Sequence, residues 1–349
     1  MASASNPIIW QAGQLRLLDQ RLLPQREEYV VCRTVEETFS AIREMVVRGA
    51  PCIGFTAIYG LALWAQAQPR FSPGAFAQAC AYLREARPTA VNLMFEIDRL
   101  AKAVRERFAE GASAAEVAAF VVADGHRQME LSEEKNTRMA ETALTELAAL
   151  YGTVPLTLMT HCNTGFLACG TLGTALGVIS HAHRKGRIEM VYADETRPYM
   201  QGTRLTAFEL AKENVPHQIV VEGAASYLLS TRKVHAIFVG ADRIAANGDT
   251  ANKVGTSTLA IVARHYGVPF YVVAPLSSFD YSISSGRDIE IELRNEDEVL
   301  AYQGMRVAPA SSRALNPSFD VTSREHITGI ISEKGIVRGP TLETMKAFL

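Results

Sequence analysis

The sequence predicts an α/β protein in which a mainly helical N-terminal part with short antiparallel strands precedes a parallel, doubly wound sheet. Three observations predict this fold class: apolar and polar residues alternate near the start, a long stretch is rich in Ala, Leu, Glu and Arg, and five apolar runs follow with room for a helix between them. The composition changes near Tyr151. We therefore expect an N-terminal domain over residues 1–148 and a second domain over residues 149–349.

The composition is that of a globular protein with no unusual charge. The chain has 349 residues, 48% hydrophobic and 21% charged, and 35 Lys and Arg against 37 Asp and Glu give a net charge of -2. This balance argues against a nucleic acid or an anionic membrane as the main partner. The five cysteines form no CxxC pair, and residues 1–7 lack the basic and apolar regions of a signal peptide. We expect reduced thiols and a cytoplasmic location.

The N-terminal elements follow from local patterns. Alternating residues between Ile8 and Val31, with turns at Gly13 and Pro24, predict short antiparallel strands. A helix with apolar residues at helical spacing runs up to Gly49, and Pro51 begins the next helix. Residues 76–150 are expected to be helical. Two capping boxes mark helix starts, namely Thr34 with Glu37 and Ser113 with Glu116.

The C-terminal elements follow from apolar runs that are typical of strands buried on both faces. The stretch from Tyr151 to His183 has no Asp, Glu, Lys or Arg, but its glycines and threonines favour a strand, a loop and a buried helix over a membrane span. The predicted strands are LTLMT at 156–160, IEMVYAD at 188–194, HQIVVEG at 217–223, AIFVGAD at 236–242 and PFYVVAP at 269–275.

Ligands of parallel α/β sheets bind at the carboxyl ends of the strands, so the residues that follow these runs are candidate site residues. Cys162 lies in the polar turn HCNTG before a glycine-spaced helix start, where a helix dipole would lower a thiol pKa. It could equally be a small buried apolar residue. Residues 194–198, with Gln201 beyond them, form either a polar site or a capped helix start with an internal ion pair.

Further polar residues follow the next predicted strand. Asp242 is a candidate general acid or base, or alternatively a helix cap or a partner for Arg243. Asn252 and Lys253, with the backbone N–H groups after them, could hold a phosphate. Together these residues suit a small phosphorylated and hydroxylated ligand.

Other patterns carry less chemistry. Arg48, Gly49 and Ala50 precede a helix and Arg87 precedes Pro88, positions where arginine can bind an anion or simply pair locally. The glycines after Cys162 do not fit GxGxxG, which argues against a dinucleotide site, and the histidines form no ligand pattern. We expect neither a metal nor a cofactor. The serine-rich segment at 277–284 stays unassigned.

Several of these segments together resemble the methylthioribose-1-phosphate isomerase family, which is related in fold to the alpha, beta and delta regulatory subunits of translation initiation factor eIF-2B. The resemblance covers nearly the whole chain in the expected order. It rests on LLDQRLLP at 17–24, RGAPCIG at 48–54, RPTAVNL at 87–93, THCNTG at 160–165, DETRPYMQGTRLTAFEL at 194–210, GADRIAANGD at 240–249, NKVGT at 252–256 and NPSFDVT at 316–322.

The resemblance implies a Rossmann-like catalytic second domain, a smaller and mostly helical first domain, and a homodimer. It implies an aldose–ketose isomerase that converts 5-methylthioribose 1-phosphate to 5-methylthioribulose 1-phosphate in methionine salvage. Cys162 and Asp242 match the family's catalytic pair. The substrate and phosphate contacts match Arg48, Gly49, Ala50, Arg87, Gln201, Asn252 and Lys253.

The sequence departs from the family pattern at two places. Cys52 stands where a small residue such as alanine is usual, and Glu222 is followed by Gly223 where Ser or Asn is expected. These departures leave a related aldose 1-phosphate as an alternative substrate, such as 5-deoxyribose 1-phosphate or ribose 1,5-bisphosphate. A non-catalytic regulatory subunit of the initiation-factor type is the alternative from another class, because fold alone does not define function.

Overall fold

A computed structural model describes residues 6–87, 91–302 and 304–348. The chain forms two compact units: residues up to Glu134 together with Gly165–Gly173 form the first, and Lys135–Thr164 together with the residues from Thr174 onward form the second. This division falls inside one long helix. The boundary that the composition indicates, between residues 148 and 149, lies near the end of the same helix and stays a prediction about domains.

The strands and helices are numbered in chain order. The strands are β1 Ile8–Gln11, β2 Gln14–Leu18, β3 Tyr29–Cys32, β4 Leu156–Thr160, β5 Ile188–Asp194, β6 His217–Val220, β7 Ala236–Val239, β8 Arg243–Ala245, β9 Thr250–Lys253, β10 Phe270–Val273, β11 Phe279–Asp280, β12 Ala301–Tyr302, β13 Met305–Arg306, β14 Phe319–Thr322, β15 Gly329–Ser332 and β16 Gly335–Arg338. The helices are α1 Val35–Arg43, α2 Ala50–Ala67, α3 Pro73–Arg84, α4 Val91–Ala109, α5 Ala114–Tyr151, α6 Phe166–Cys169, α7 Ala175–Arg184, α8 Ala207–Lys212, α9 Ala225–Thr231, α10 Thr256–His265, α11 Asp297–Leu300 and α12 Leu342–Phe348.

The first unit begins with an antiparallel meander of β1, β2 and β3, as the alternating sequence predicts. The inward side chains of β2, Leu15 and Leu17, are fully buried, whereas the alternating Gln14 and Arg16 are partly exposed. One face of the meander therefore packs into the core of this unit, which is made largely by α1 to α5.

Both predicted capping boxes mark real helix starts, but they differ in detail. Ser113 and Glu116 exchange reciprocal hydrogen bonds before α5. At α1 the Thr34 hydroxyl accepts from the Glu37 N–H, but the Glu37 carboxylate accepts from the N–H of Arg33 rather than from Thr34. α1 also ends earlier than the apolar spacing predicts, because the chain turns at Met45, where φ is 59°.

Helix α2 is long and apolar enough to cross a membrane by length and composition alone. In the structure, 72% of that helix is buried. Ile53, Ile58 and Leu61 of α2 lie in the core of the first unit. The apolar surface of α2 is therefore covered by packing, as in a core helix.

The second unit is built on a mixed sheet whose strands, within the described residues, lie in the order β16-β15-β10-β7-β4-β5-β6. All neighbours are parallel except β15 and β16. From β6 across to β16 the strands follow the chain order 3-2-1-4-5-6-7. This confirms the predicted parallel sheet, with helices α7, α8, α9 and α10 between successive strands.

Helices cover both faces of this sheet. Ala236 and Phe238 of β7 pack in one core with residues of α5 and α7, whereas Ile237 and Val239 pack in a second core with residues of α9 and α10. The alternation follows from the two-residue period of a strand. β6 departs from the prediction, because it is an edge strand and its Gln218 and Ile219 are exposed.

A second sheet, β11-β8-β9-β14, follows the carboxyl end of β7. β8 and β9 form a hairpin, and β14 pairs antiparallel to β9 with Phe319 opposite Lys253. This small sheet holds the segment NKVGT next to the carboxyl end of the main sheet.

Candidate active site

The strand order reverses direction between β4 and β7, which are direct neighbours. From β4 the chain builds outward to β5 and β6, and from β7 it builds in the opposite direction to β10 and β15. In open α/β sheets such a reversal leaves a crevice at the carboxyl ends of the two strands. Cys162 follows β4 and Asp242 follows β7, so both predicted catalytic residues come from the ends of this strand pair.

Cys162 occupies a strained turn rather than the approach to a regular helix. Its φ is 63°, its side chain is 8% exposed, and its N–H donates to the Thr196 hydroxyl at 2.9 Å. The Thr206 hydroxyl donates to the Cys162 carbonyl oxygen at 2.5 Å. Non-glycine residues in left-handed conformations persist where surrounding contacts determine them, often at functional sites.

The predicted helix start after Cys162 is present, but the helix ends after one turn. The segment forms only the four-residue α6, after which Gly170 and Gly173 have φ values of 74° and 94°, and α7 begins at Ala175. The left-handed glycines end the helix. The one-turn α6 supplies no extended helix dipole for the thiol.

The segment that follows β5 encloses the Cys162 turn. Thr196 and Met200 also have positive φ, of 58° and 60°. Residues Gly202–Thr206 form a π-helix, a rare conformation that is frequent at functional sites. A Cβ at Gly202 would lie 1.5 Å from the carbonyl oxygen of Asp194, so only glycine allows this turn to pack on the end of β5.

Asn163 joins the same two segments. Its amide donates to the Glu209 carboxylate at 2.7 Å and to the Thr206 hydroxyl at 3.3 Å. All three side chains are buried. An internal ion pair is one of the two predictions for residues 194–198. Asp194 pairs instead with His161, which lies outside that segment.

His161 and Asp194 form a fully buried pair next to Cys162. His161 Nδ1 lies 3.1 Å from Asp194 Oδ2, and His161 Nε2 lies 2.9 Å from the Val254 carbonyl oxygen. Burial alone lowers the pKa of His161. The hydrogen bond and charge of Asp194, the charge of Glu222 and the Val254 carbonyl raise it and together outweigh burial, so the pKa of His161 lies above its ordinary value.

Asp242 lies in the loop between β7 and β8. Its side chain is exposed, and its N–H donates to the Ala251 carbonyl oxygen at 2.9 Å. It is not a helix cap, because a strand follows it. Its neighbour Arg243 lies 3.7 Å from the Asp280 carboxylate.

Asn252 and Lys253 are both buried on β9. The Asn252 amide donates to the Thr256 hydroxyl at 3.1 Å. Lys253 Nζ donates to the Ser318 carbonyl oxygen at 2.7 Å and lies 4.6 Å from the centre of the Phe319 ring. The β9–β14 pairing thus fixes where this ammonium group stands.

Two backbone N–H groups after Lys253 bind a carboxylate of the chain itself, which corrects the prediction at these positions. Gly255 N–H and Ser257 N–H donate to the two Asp320 carboxylate oxygens at 2.8 and 3.1 Å. Asp320 therefore occupies the N-terminus of α10 as an anion would. No local pattern predicts this pairing, which joins residues more than sixty positions apart.

Gln201 is 4% exposed, and its Oε1 is buried without a hydrogen-bond partner among the described residues. Such a group normally has a partner, so it is suited to bind a ligand hydroxyl. Nearby, the Glu222 carboxylate accepts from the N–H of Arg197. The Cζ atom of Arg204 lies 4.8 Å from the centre of the Tyr199 ring.

The remaining predicted site residues lie in the first unit. Arg48, Gly49 and Ala50 lie at the N-terminus of α2, where Gly49 has a φ of 87°. A Cβ there would lie 2.4 Å from the Ala168 carbonyl oxygen, so glycine is required. Arg87 follows α3 and is partly buried, and Pro88 lies outside the described residues.

Sequence reasoning named the HCNTG and DET segments but missed how they are held. Thr206 and Glu209 hold the HCNTG turn, and Asp320 holds the segment after Lys253. Threonine and acidic residues in an amphipathic segment give no local signal of such contacts. Within the described residues, no cluster of three or more His, Cys, Asp or Glu side chains could hold a metal ion. The absence of a metal and of a cofactor stays an expectation.

These features define a class: an α/β protein with a polar, mixed-charge site at the carboxyl ends of parallel strands, suited to a small phosphorylated ligand. Residues 46–339 match the model of the initiation factor 2 subunit family, and the chain belongs to that family.

Relatives and solved structures agree with this membership. The chain is 47% identical over 343 residues to a methylthioribose-1-phosphate isomerase of Azotobacter vinelandii, covering 97% of this chain and 94% of the relative. It is similar to the crystal structure of 5-methylthioribose 1-phosphate isomerase from Pyrococcus horikoshii OT3, with a TM-score of 0.91, 38% identity and coverage of 99% and 96%. It is also similar to translation initiation factor eIF-2B, subunit delta, from A. fulgidus, with a TM-score of 0.86, 34% identity and coverage of 98% and 100%.

Proposed function

We propose that the protein is an aldose–ketose isomerase that converts 5-methylthioribose 1-phosphate to 5-methylthioribulose 1-phosphate in methionine salvage. The observation that carries this conclusion is the full-length similarity, at 47% identity, to a protein named for this activity. The polar residues at the ends of β4 and β7 supply a site for the chemistry.

The substrate defines what the site must do. The anomeric oxygen carries the phosphate, so the sugar cannot open spontaneously to a free aldehyde. The enzyme must assist cleavage of the bond between C1 and the ring oxygen O4. One hydrogen must also move from C2 to C1, and the C2 hydroxyl must lose its proton to give the ketone.

Asp242 begins protonated in this mechanism and gives its proton to the ring oxygen as the C1–O4 bond breaks. It then helps to remove the C2 hydroxyl proton. Its side chain is exposed, so bound substrate must supply the desolvation that favours a protonated carboxyl.

Cys162 has one of two roles. As a base it takes the C2 proton, giving an enol phosphate, and returns a proton to C1. Alternatively, it stabilises the cationic state at C1 while hydride moves directly from C2. Its strained, buried turn at the end of β4 suits either role.

Seven further residues are proposed to bind the substrate. Arg48, Arg87 and Lys253 hold the phosphate that stays on C1, with the backbone of Gly49 and Ala50 at the N-terminus of α2. Gln201 and Asn252 bind sugar oxygens through their amides. The buried Oε1 of Gln201, which has no hydrogen-bond partner among the residues that the structure describes, supports this role.

Substitution of the catalytic pair tests the mechanism. Cys162→Ser and Asp242→Asn are expected to lower kcat by about 100-fold or more, the usual minimum for loss of acid–base catalysis. Cys80→Ala is the control, since burial raises the pKa of this thiol in the first unit to about 12 and leaves it unreactive. Normal turnover by either catalytic variant would remove the assignment.

A non-catalytic regulatory subunit is the second candidate, favoured by the similarity to an eIF-2B delta subunit at 34% identity. This alternative predicts binding of a sugar or nucleotide phosphate without turnover. Titration with nucleotides, alongside the isomerase assay, separates the two: binding without ketose formation would favour the regulatory role.

The finer properties are also proposals. A related aldose 1-phosphate, 5-deoxyribose 1-phosphate or ribose 1,5-bisphosphate, is the alternative substrate. The second unit is proposed as the Rossmann-like catalytic domain, supported by the 3-2-1-4-5-6 strand order that such sheets have. The protein is also proposed to be a homodimer, which light scattering tests. A cytoplasmic location without nucleic-acid or membrane partners is proposed as well, and cell fractionation tests the location.

A further inference from the structure

The buried pair of His161 and Asp194 connects three segments of the candidate site. His161 directly precedes Cys162 at the end of β4, Asp194 ends β5, and Val254 follows Lys253. Through its two ring nitrogens, His161 bonds to Asp194 on one side and to Val254 on the other. Neither side chain belongs to the proposed catalytic pair or to the proposed substrate contacts.

Asp194 also reaches the Cys162 backbone through a second route. Its carbonyl oxygen accepts from the Thr196 hydroxyl at 3.1 Å, and the same hydroxyl accepts from the N–H of Cys162. The left-handed conformation of Cys162 is thus fixed from β5 by both the backbone and the side chain of Asp194. Loss of the side-chain bond would remove one of the contacts that hold the turn and leave the threonine hydroxyls to carry more of its support.

The surroundings leave His161 little freedom. Its side chain is 0% exposed, and a Cβ on Gly255 would lie 2.8 Å from His161 Cε1 and 2.1 Å from Glu222 Oε1. The imidazole therefore packs directly against the backbone that follows Lys253. Movement of the ring would move both Cys162 and the Asn252–Lys253 segment.

The hydrogen bonds define where the protons are. The Val254 carbonyl only accepts, so Nε2 carries a proton. The contact between Nδ1 and the carboxylate needs a second proton, held on one atom or the other. Loss of that proton would set a nitrogen lone pair against a carboxylate and break the contact. The charged groups that face this pair are Glu222, Glu195 and Asp320, all acidic.

We propose that His161 and Asp194 are positioning residues: their proton-sharing contact holds Cys162 and the Asn252–Lys253 segment in the geometry needed for isomerisation. This inference rests on the proposed role of Cys162. It assigns no contact with substrate to either residue. Both act through the backbone that carries Cys162 and Lys253.

Three variants test the proposal, with kcat and KM measured across the neutral and alkaline pH range. His161→Asn cannot span both partners, and Asp194→Ala removes one of them. Each is expected to lower kcat by about 100-fold, as a displacement of about 1 Å does at reacting atoms. Asp194→Asn can donate its amide N–H to neutral Nδ1, which keeps the contact without a titrating proton.

Asp194→Asn is therefore expected to keep kcat within about tenfold of wild type, a loss far smaller than that of the displaced variants. It should also lack the alkaline fall in kcat that loss of the shared proton gives the wild type. A purely structural role would leave the pH profile unchanged. An unchanged alkaline limb in Asp194→Asn would overturn the proposal.

His235→Asn is the matched control, because His235 is also buried on this sheet but precedes β7, and its Nδ1 accepts from the N–H of Thr157. Thermal unfolding of every variant identifies any that fails to fold, and Asp194→Asn then still carries the test. If His161→Asn and His235→Asn have equal kcat while Cys162→Ser is inactive, the positioning role is wrong. If Cys162→Ser is itself fully active, the proposed function of Cys162 fails instead.

Discussion

Replacement of Gly202 by alanine is expected to disrupt the candidate site through the backbone alone. The added Cβ would lie 1.5 Å from the Asp194 carbonyl oxygen, 2.7 Å from its carbonyl carbon and 3.1 Å from that of Glu195. Real Cβ atoms essentially never approach within 3.0 Å, so the π-helix and the end of β5 must separate by about 1.5 Å. No flexible side chain can absorb this movement.

The loss in free energy of unfolding follows from that displacement. Overpacking against side chains costs about 1–3 kcal/mol, and a clash between two backbone segments lies at or above the upper end, so we expect about 3 kcal/mol. The separation also breaks the bond from Thr203 N–H to the Glu195 carbonyl oxygen. In the folded fraction, displacement of the segment that holds Cys162 should lower kcat by about 100-fold.

Urea unfolding and steady-state kinetics measure both effects. Gly223→Ala is the matched control, because a Cβ there meets nothing within 4 Å. It should change the free energy of unfolding by less than about 0.5 kcal/mol. The reasoning is refuted if Gly202→Ala matches this control in both unfolding midpoint and kcat.

Three further predictions concern the contacts around the site. Thr206→Val leaves the buried Cys162 carbonyl without its hydroxyl donor and should lower the free energy of unfolding, measured in urea, by about 1–3 kcal/mol. Thr145→Val, at an exposed position of α5, should cost less, and equal costs would contradict this. The raised pKa of His161 means that the folded chain binds more protons above pH 6.5, so stability should fall as pH rises from there, by up to about 1.4 kcal/mol per pH unit. His161→Asn should flatten that slope, and an unchanged slope would assign it to another group. Lys253→Met should raise KM by about tenfold, as loss of a charged hydrogen bond does. The control, Lys135→Met, removes a surface ion pair with Glu333 and should leave KM unchanged. An unaltered KM in Lys253→Met would exclude a phosphate contact.

The main sheet could be predicted because its strands carry their own signal. Each run, such as AIFV at β7, is apolar on both faces, and the helices between the runs have room to cover both sides of the sheet. The edge position of β6 could not be predicted, since strand order is decided by packing between segments distant in sequence. Its exposed Ile219 has the same local pattern as a buried residue.

The position of the candidate site could be predicted from the sequence, but the contacts that hold its residues could not. Residues after strand ends can be recognised from the sequence, and this places Cys162 and Asp242 correctly after β4 and β7. The conformation of Cys162 depends instead on hydroxyls of Thr196 and Thr206, and α10 is capped by Asp320. Such contacts join segments far apart in the chain, so no local spacing predicts them.

Turnover of 5-methylthioribose 1-phosphate by the purified protein tests the central claim most directly. Proton and phosphorus NMR in deuterium oxide would follow ketose formation, with 5-deoxyribose 1-phosphate as the comparison substrate. We predict conversion of the methylthio sugar to the ketose 1-phosphate until equilibrium is reached, faster than that of the deoxy sugar, with the phosphate retained. If the folded protein forms no ketose from the methylthio sugar and none from the deoxy sugar, the assignment as an isomerase is contradicted.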